Sequence, residues 1–147
     1  MKVLIIGNGV QGKKRAKILK NSLYLAIDQK DKTKKKINIQ KFDTVFLCVP
    51  EKEKQKLILK YLGLNKNILV EKPLKLSNKK KYQEIIKLLK IKKKFLYIAY
   101  NHRFEPGLIK TKEILKYKKN IGKIYSIRIF YGNGTAKLVK KSEWRDK

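Results

Sequence analysis

This chain has one cysteine, three prolines and one histidine, and no apolar run approaching the ~20 residues a membrane-spanning helix needs. A lone Cys48 excludes an internal disulfide and fits a reducing compartment. It falls inside the apolar run 44–49 and reads as a small buried residue. The first apolar run stops at Gly7, too early for the apolar part of a signal peptide. The expectation is a cytoplasmic chain with no membrane partner. Acidic residues are scarce too: 11 against 40 lysines and arginines, for a formal net charge of +29 at pH 7. That field would attract polyanions. Arginine, however, is nearly missing. Arg15, Arg103, Arg128 and Arg145 are the only four, and arginine is the side chain suited to bidentate reading of bases and phosphates. The lysines are spread over every expected helix and form no patch interleaved with aromatics, so no specific nucleic-acid site is expected. Internal repeats and Pro/Ser-rich linkers are also missing.

What is present begins at residue 2. Residues 2–6 form a short apolar run, Gly7-Asn8-Gly9-Val10-Gln11-Gly12 follows at once, and a helix-prone basic segment runs over 13–20. A GxGxxG between a strand and a helix is the setting in which each glycine has a job. Gly7 allows the tight turn, Gly9 lets a pyrophosphate approach the backbone at the helix N-terminus, and Gly12 lets the helix pack closely on the sheet. Residues 23–27 read as a second buried strand, and Asp28 stands at its carboxyl end, sixteen positions after Gly12. A carboxylate there accepts hydrogen bonds from the adenosine ribose and repels a 2′-phosphate, which favours NAD. The lysine-rich segment 29–36 keeps NADP open, since a lysine folding back could neutralise that phosphate.

With 42% hydrophobic residues in 147, one domain with a real core is expected, with room for part of a second. Short apolar runs alternate with amphipathic ones, which points to an α/β class: a doubly wound parallel sheet with helices on both faces. Strands are predicted at 43–49, 67–70 and 95–100, with Pro50 ending the first of these. Helices are predicted over 51–62, closed by Gly63, from Ser77 or Asn78 to about 90, and from Pro106 to about 117. Their inward stripes are Leu57, Ile58, Tyr61 and Leu62, then Ile85, Ile86, Leu88 and Leu89, then Leu108, Ile109, Ile114 and Leu115. Residues 123–131 differ: they alternate in character and are rich in β-branched and aromatic side chains. They read as a half-exposed strand that begins something new. The boundary is therefore placed after residue 121, with 1–121 as the dinucleotide-binding domain and 122–147 as the start of another. An unpaired strand at 123–131 would be an edge open to self-association or to a partner chain.

In a doubly wound sheet ligands bind beyond the carboxyl ends of the strands. Gathered there are the glycine loop, Asp28, Pro50, Glu71-Lys72-Pro73 and Asn101-His102-Arg103. In their order and spacing these residues resemble the Gfo/Idh/MocA oxidoreductases. The matching motifs are the glycine loop, Ile68-Leu69-Val70-Glu71-Lys72-Pro73-Leu74 and Tyr100-Asn101-His102-Arg103-Phe104-Glu105-Pro106, the second being the most specific. Residues 121–124 and Trp144-Arg145-Asp146 look like that family's passage into its second domain.

The resemblance implies a Rossmann fold that binds NAD, with NADP as the other choice, and a sugar-like or cyclitol substrate. It implies that Lys72 lies near the nicotinamide and the substrate hydroxyl and assists proton movement. Glu71 would support it, and the Lys72–Pro73 bond is often cis in relatives. Cys48, Val49 and Pro50 would wall the cofactor site, and Arg103 would lie near the cofactor and the domain junction. His102 is expected in a surface or supporting role. Two departures stand out. Lys54 takes a place where relatives often carry histidine, and the chain stops before the Asp-x-Gly-x-His-like segment that supplies the usual acid/base. The expectation is the dinucleotide-binding portion of an NAD(P)-dependent dehydrogenase or reductase, weak or inactive as 147 residues. A non-catalytic nucleotide-binding module is the alternative, and a basic nucleic-acid-associated protein a more distant one.

Overall fold

A computed structural model describes residues 1–19, 23–28, 37–117 and 121–130. Five strands form one parallel sheet: β1 (Lys2–Ile6), β2 (Leu23–Ile27), β3 (Thr44–Leu47), β4 (Asn67–Val70) and β5 (Leu96–Ile98), in the order β2-β1-β3-β4-β5. Three helices cover it: α1 (Val10–Ile18), α2 (Glu51–Gly63) and α3 (Lys79–Lys92). This is a Rossmann-type doubly wound sheet.

Strand alternation sorts the core into two layers. Val3 and Ile5 point to one face and pack with Leu19 and Ala16 of the α1 segment and with Ala26, Phe46 and Cys48. Leu4 and Ile6 point to the other, joining Val45, Leu47, Ile68 and Val70 beneath Ile58, Tyr61 and Leu62 of α2 and Ile85 of α3. The chain leaves β1 toward β2 and returns to β3 on the other side of β1. Right-handed crossovers running in opposite directions put α1 on one face and α2 with α3 on the other. They also part the loops after β1 and β3, which opens a crevice at the carboxyl ends of those two strands.

The helix ends show local chemistry at work. Asn78 caps α3, its side-chain oxygen accepting from the Lys81 amide at 2.9 Å. Gly63, expected to close α2, is instead its last residue. The left-handed position falls on Asn65 (φ 59°), and the Lys66 amide donates back to the Tyr61 carbonyl at 3.0 Å. Lys93 (φ 48°) plays the same part after α3.

The chain divides into two compact units, Met1–His102 and Arg103–Lys147. In the second, α4 (Pro106–Lys116) starts with proline as expected, yet it buries no residue: Leu108, Ile109 and Ile114 are exposed. Of the strand expected over 123–131, the described residues 123–130 form none. Residues 121–130 carry no strand and are exposed throughout, and Tyr131 lies outside the described residues. The reason is physical: β-branched composition favours an extended backbone, but a strand exists only where another strand accepts its hydrogen bonds.

Candidate functional site

The glycine loop turns from β1 into α1 with almost no space to spare. Gly7 has φ +97°, and a Cβ there would sit 2.3 Å from the Cys48 carbonyl oxygen. Gly12 faces back onto the loop, where a Cβ would lie 1.9 Å from the Gly7 carbonyl oxygen. The Gly7 amide donates to Ile27 and the Cys48 amide to Ile6, both at 2.8 Å, tying the ends of β1, β2 and β3 together. Gly9 is the opposite case, with nothing within 4 Å of where its Cβ would be. It is the N-cap of α1 and offers no side-chain cap, and no acid lies in the first turn, so the amides of Val10, Gln11 and Gly12 open the helix at its positive dipole end.

Beside this loop lies an open cleft of about 610 Å³, walled by Gly7, Asn8, Gly9, Asp28, Cys48, Val49, Pro50, Lys52 and Glu53. Seven of these nine were singled out from sequence; β1, β2 and β3 deliver them together because all three strands end at one level. Lys52 and Glu53 were not. Their signal was Pro50 ending β3, since the first turn of a helix that starts there must border the crevice. Cys48 is half-buried rather than fully buried. Burial, reinforced by the Glu71 carboxylate, pushes its thiol up to about 11. It stays protonated at neutral pH and is a wall, not a nucleophile.

Glu71, Lys72 and Pro73 follow β4, and the Lys72–Pro73 bond is cis. Lys72 is exposed and does not wall the cleft. Its two neighbours are both held. The Arg15 guanidinium of α1 donates from Nε to the Glu71 carboxylate at 2.7 Å, with Nη2 at 2.6 Å from the same oxygen. The Lys54 ammonium of α2 donates to the Pro73 carbonyl at 2.6 Å. Lys54 is buried, and desolvation lowers its pKa below the ordinary lysine value although the Glu51 and Glu71 carboxylates oppose this. The sequence marked Lys54 only as standing where relatives often carry histidine and gave Arg15 no role, because a cation on a lysine-rich helix otherwise reads as solvated. Arg103 belongs to the second unit, in a 3₁₀ turn at Asn101–Phe104, with its guanidinium 5.5 Å from the centre of the Phe104 ring.

These residues fit a dinucleotide. The backbone at Gly9 leaves room for a diphosphate, the uncapped start of α1 favours negative charge, and Asp28 lines the same cleft, where a carboxylate could accept from a sugar hydroxyl. Among the described residues no group of His, Cys, Asp and Glu is placed to hold a metal ion. No described helix is long and apolar enough to cross a membrane.

Comparison with known proteins agrees with this geometry. Residues 10–100 match the Gfo/Idh/MocA family, described as an oxidoreductase family with an NAD-binding Rossmann fold. No curated protein matches the chain. Among solved structures, myo-inositol 2-dehydrogenase from Lactobacillus plantarum is similar, with TM-score 0.67 and 20% identity, over 84% of this chain and 43% of that one. UDP-N-acetylglucosamine 3-dehydrogenase GnnA from Acidithiobacillus ferrooxidans follows with TM-score 0.65 and 16% identity, over 78% and 43%. GenD2 from gentamicin A biosynthesis, solved in complex with NAD, gives TM-score 0.65 and 16% identity, over 81% and 40%. The chain thus spans about two-fifths of the length of the structures it matches.

Proposed function

The chain belongs to the Gfo/Idh/MocA oxidoreductases, whose Rossmann fold binds NAD, and from that membership we propose that it is the dinucleotide-binding part of a dehydrogenase or reductase acting on a sugar-like or cyclitol hydroxyl or carbonyl. The cyclitol and the nucleotide sugar in the names of two structural neighbours support that substrate class. The single observation that carries the cofactor reading is the unobstructed backbone at Gly9 in the same cleft as Asp28.

In this reading the loop Gly7, Asn8, Gly9, Val10, Gln11 and Gly12 holds the diphosphate, the amides at the start of α1 donating to it while the Gly7 amide stays on the Ile27 carbonyl. Asp28 accepts from the adenosine ribose and disfavours a 2′-phosphate. Cys48, Val49 and Pro50 form the wall along the dinucleotide. Lys72, backed by Glu71, is the catalytic residue: its ammonium hydrogen-bonds the reacting substrate oxygen and eases the proton off or onto it. Bound NAD supplies the site where a hydride is accepted or returned. The test is titration of the 147-residue chain with ADP, NADH and NADPH by calorimetry and nicotinamide fluorescence. Binding of ADP and NADH with a preference over NADPH is expected. A clear preference for NADPH overturns the NAD assignment, and no binding of any of the three overturns the reading.

A further inference from the structure

Lys54 is a buried ammonium that nothing in the proposed reaction uses. A cation removed from water persists only where an oxygen replaces its hydration, and here that oxygen is the Pro73 carbonyl at 2.6 Å. Its position makes this contact more than local. Pro50, Lys52 and Glu53, at the start of the same helix, wall the cleft. One residue further along α2, Lys54 reaches across to the segment after β4. On the other side of Lys72, Arg15 of α1 holds Glu71 at 2.6–2.7 Å. The residues immediately before and after Lys72 are therefore each fastened by a cation from a helix that starts at the cleft, while Lys72 itself is exposed.

We propose that Lys54 is a positioning residue, which together with Arg15 brackets Lys72 and fixes its backbone relative to the dinucleotide cleft. With both flanking residues anchored, Lys72 keeps only its side-chain rotations, so little freedom remains to be lost when it engages a ligand. Without the Lys54 contact, Pro73 loses its tie to α2 and the base of Lys72 moves independently of the cleft wall. The proposal rests on the placing of Lys72 beside the nicotinamide half of the cofactor, and the experiment separates the two ideas.

Lys54→Met keeps the length and removes the donor, while Lys54→Arg restores one. In the full chain, ADP probes the glycine-loop half of the site and NADH probes both halves. In Lys54→Met, ADP affinity is expected to stay within about twofold, NADH affinity to fall about fivefold or more, and the nicotinamide emission change on binding to shrink. Lys54→Arg recovers most of this, and Lys56→Met, an exposed change on the same helix, does nothing. A merely structural contact would not show the decisive feature: Lys54→Met added to Lys72→Met weakens NADH no further than Lys72→Met alone. Additive losses, or NADH binding by Lys54→Met equal to the parent, overturn the proposal. Lysine acetylation of the unsubstituted chain, read by mass spectrometry, serves if Lys54→Met does not fold. Lys54 should label at least about tenfold more slowly than Lys52 and Lys56, and equal rates overturn the clamp. Failure of the parent chain to bind ADP overturns the dinucleotide reading instead, and the acetylation pattern still decides the clamp.

Discussion

Gly9 and Gly12 sit three residues apart and respond to a methyl group in opposite ways. At Gly12 the methyl meets the Gly7 carbonyl at 1.9 Å, so α1 must move off the loop. Gly12→Ala is expected to cost at least about 2 kcal/mol in chemical denaturation, the range for forced overpacking. At Gly9 the methyl meets nothing. Gly9→Ala is expected to change stability by less than about 1 kcal/mol, the loss of a favoured N-cap residue, yet to weaken ADP binding at least about tenfold by filling the diphosphate's approach. Equal ADP affinity in Gly9→Ala would contradict the proposed site. Cys48 supplies a pH test. With its thiol pushed up to about 11 by burial and Glu71, the reactive thiolate is rare at pH 8. Iodoacetamide labelling should run about a hundredfold slower than for a free cysteine and accelerate as pH rises toward 11. Unfolding in urea should restore the ordinary rate. These residues were legible in sequence because their roles follow from short spacing: three glycines, then an acid one strand later. For Lys54 the sequence showed only a departure from the resembled family; its role needed the fold, which brings the Pro73 carbonyl within its reach.

At the scale of elements, the sequence signals differ in how much tertiary context they need. Asn78 caps α3 with its own side chain, so Asn78→Ala should cost about 1 kcal/mol in thermal or urea unfolding. The other end of α3 carries the reverse lesson. Lys93 adopts φ 48°, a conformation that costs a side-chain-bearing residue roughly 1 kcal/mol and glycine little. Lys93→Gly is expected to raise stability by up to about 1 kcal/mol, and a loss of stability would show that its αL position is not strained. The strands β1 to β4 and helices α2 and α3 lie where apolar periodicity put them, since each buries a face against a neighbour that the same chain supplies. Residues 121–130 and α4 carry comparable apolar patterns and bury none of them fully. Periodicity reports which face an element would bury, not whether anything covers it.

For the whole molecule, the charge of +29 is the dominant physical fact outside the core. Unlike the ion pair between Arg15 and Glu71, most of it is unmatched, so the folded state is under self-repulsion that dissolved salt screens. Raising sodium chloride from about 0.05 to 0.5 M is expected to raise Tm by several degrees, whereas the same salt should abolish any weak retention on DNA. A Tm that falls with salt would mean that specific ion pairs outweigh the net repulsion. The cleft lies where the strand order reverses between β1 and β3, a feature of topology that no single segment contains.

The amino-acid order alone determined the alternation of strand and helix, the glycine loop, the acid that follows β2 and the family. Each depends on residues near one another along the chain or on the side chain's own preference. Only the tertiary structure decided that Arg15 and Lys54, 56 and 19 positions away from their partners, close on Glu71 and Pro73. It also decided that 123–130 stay without a strand. Contacts between distant segments are set by how helices seat on the sheet, and a strand is defined by its neighbour's hydrogen bonds; neither is a property of local sequence.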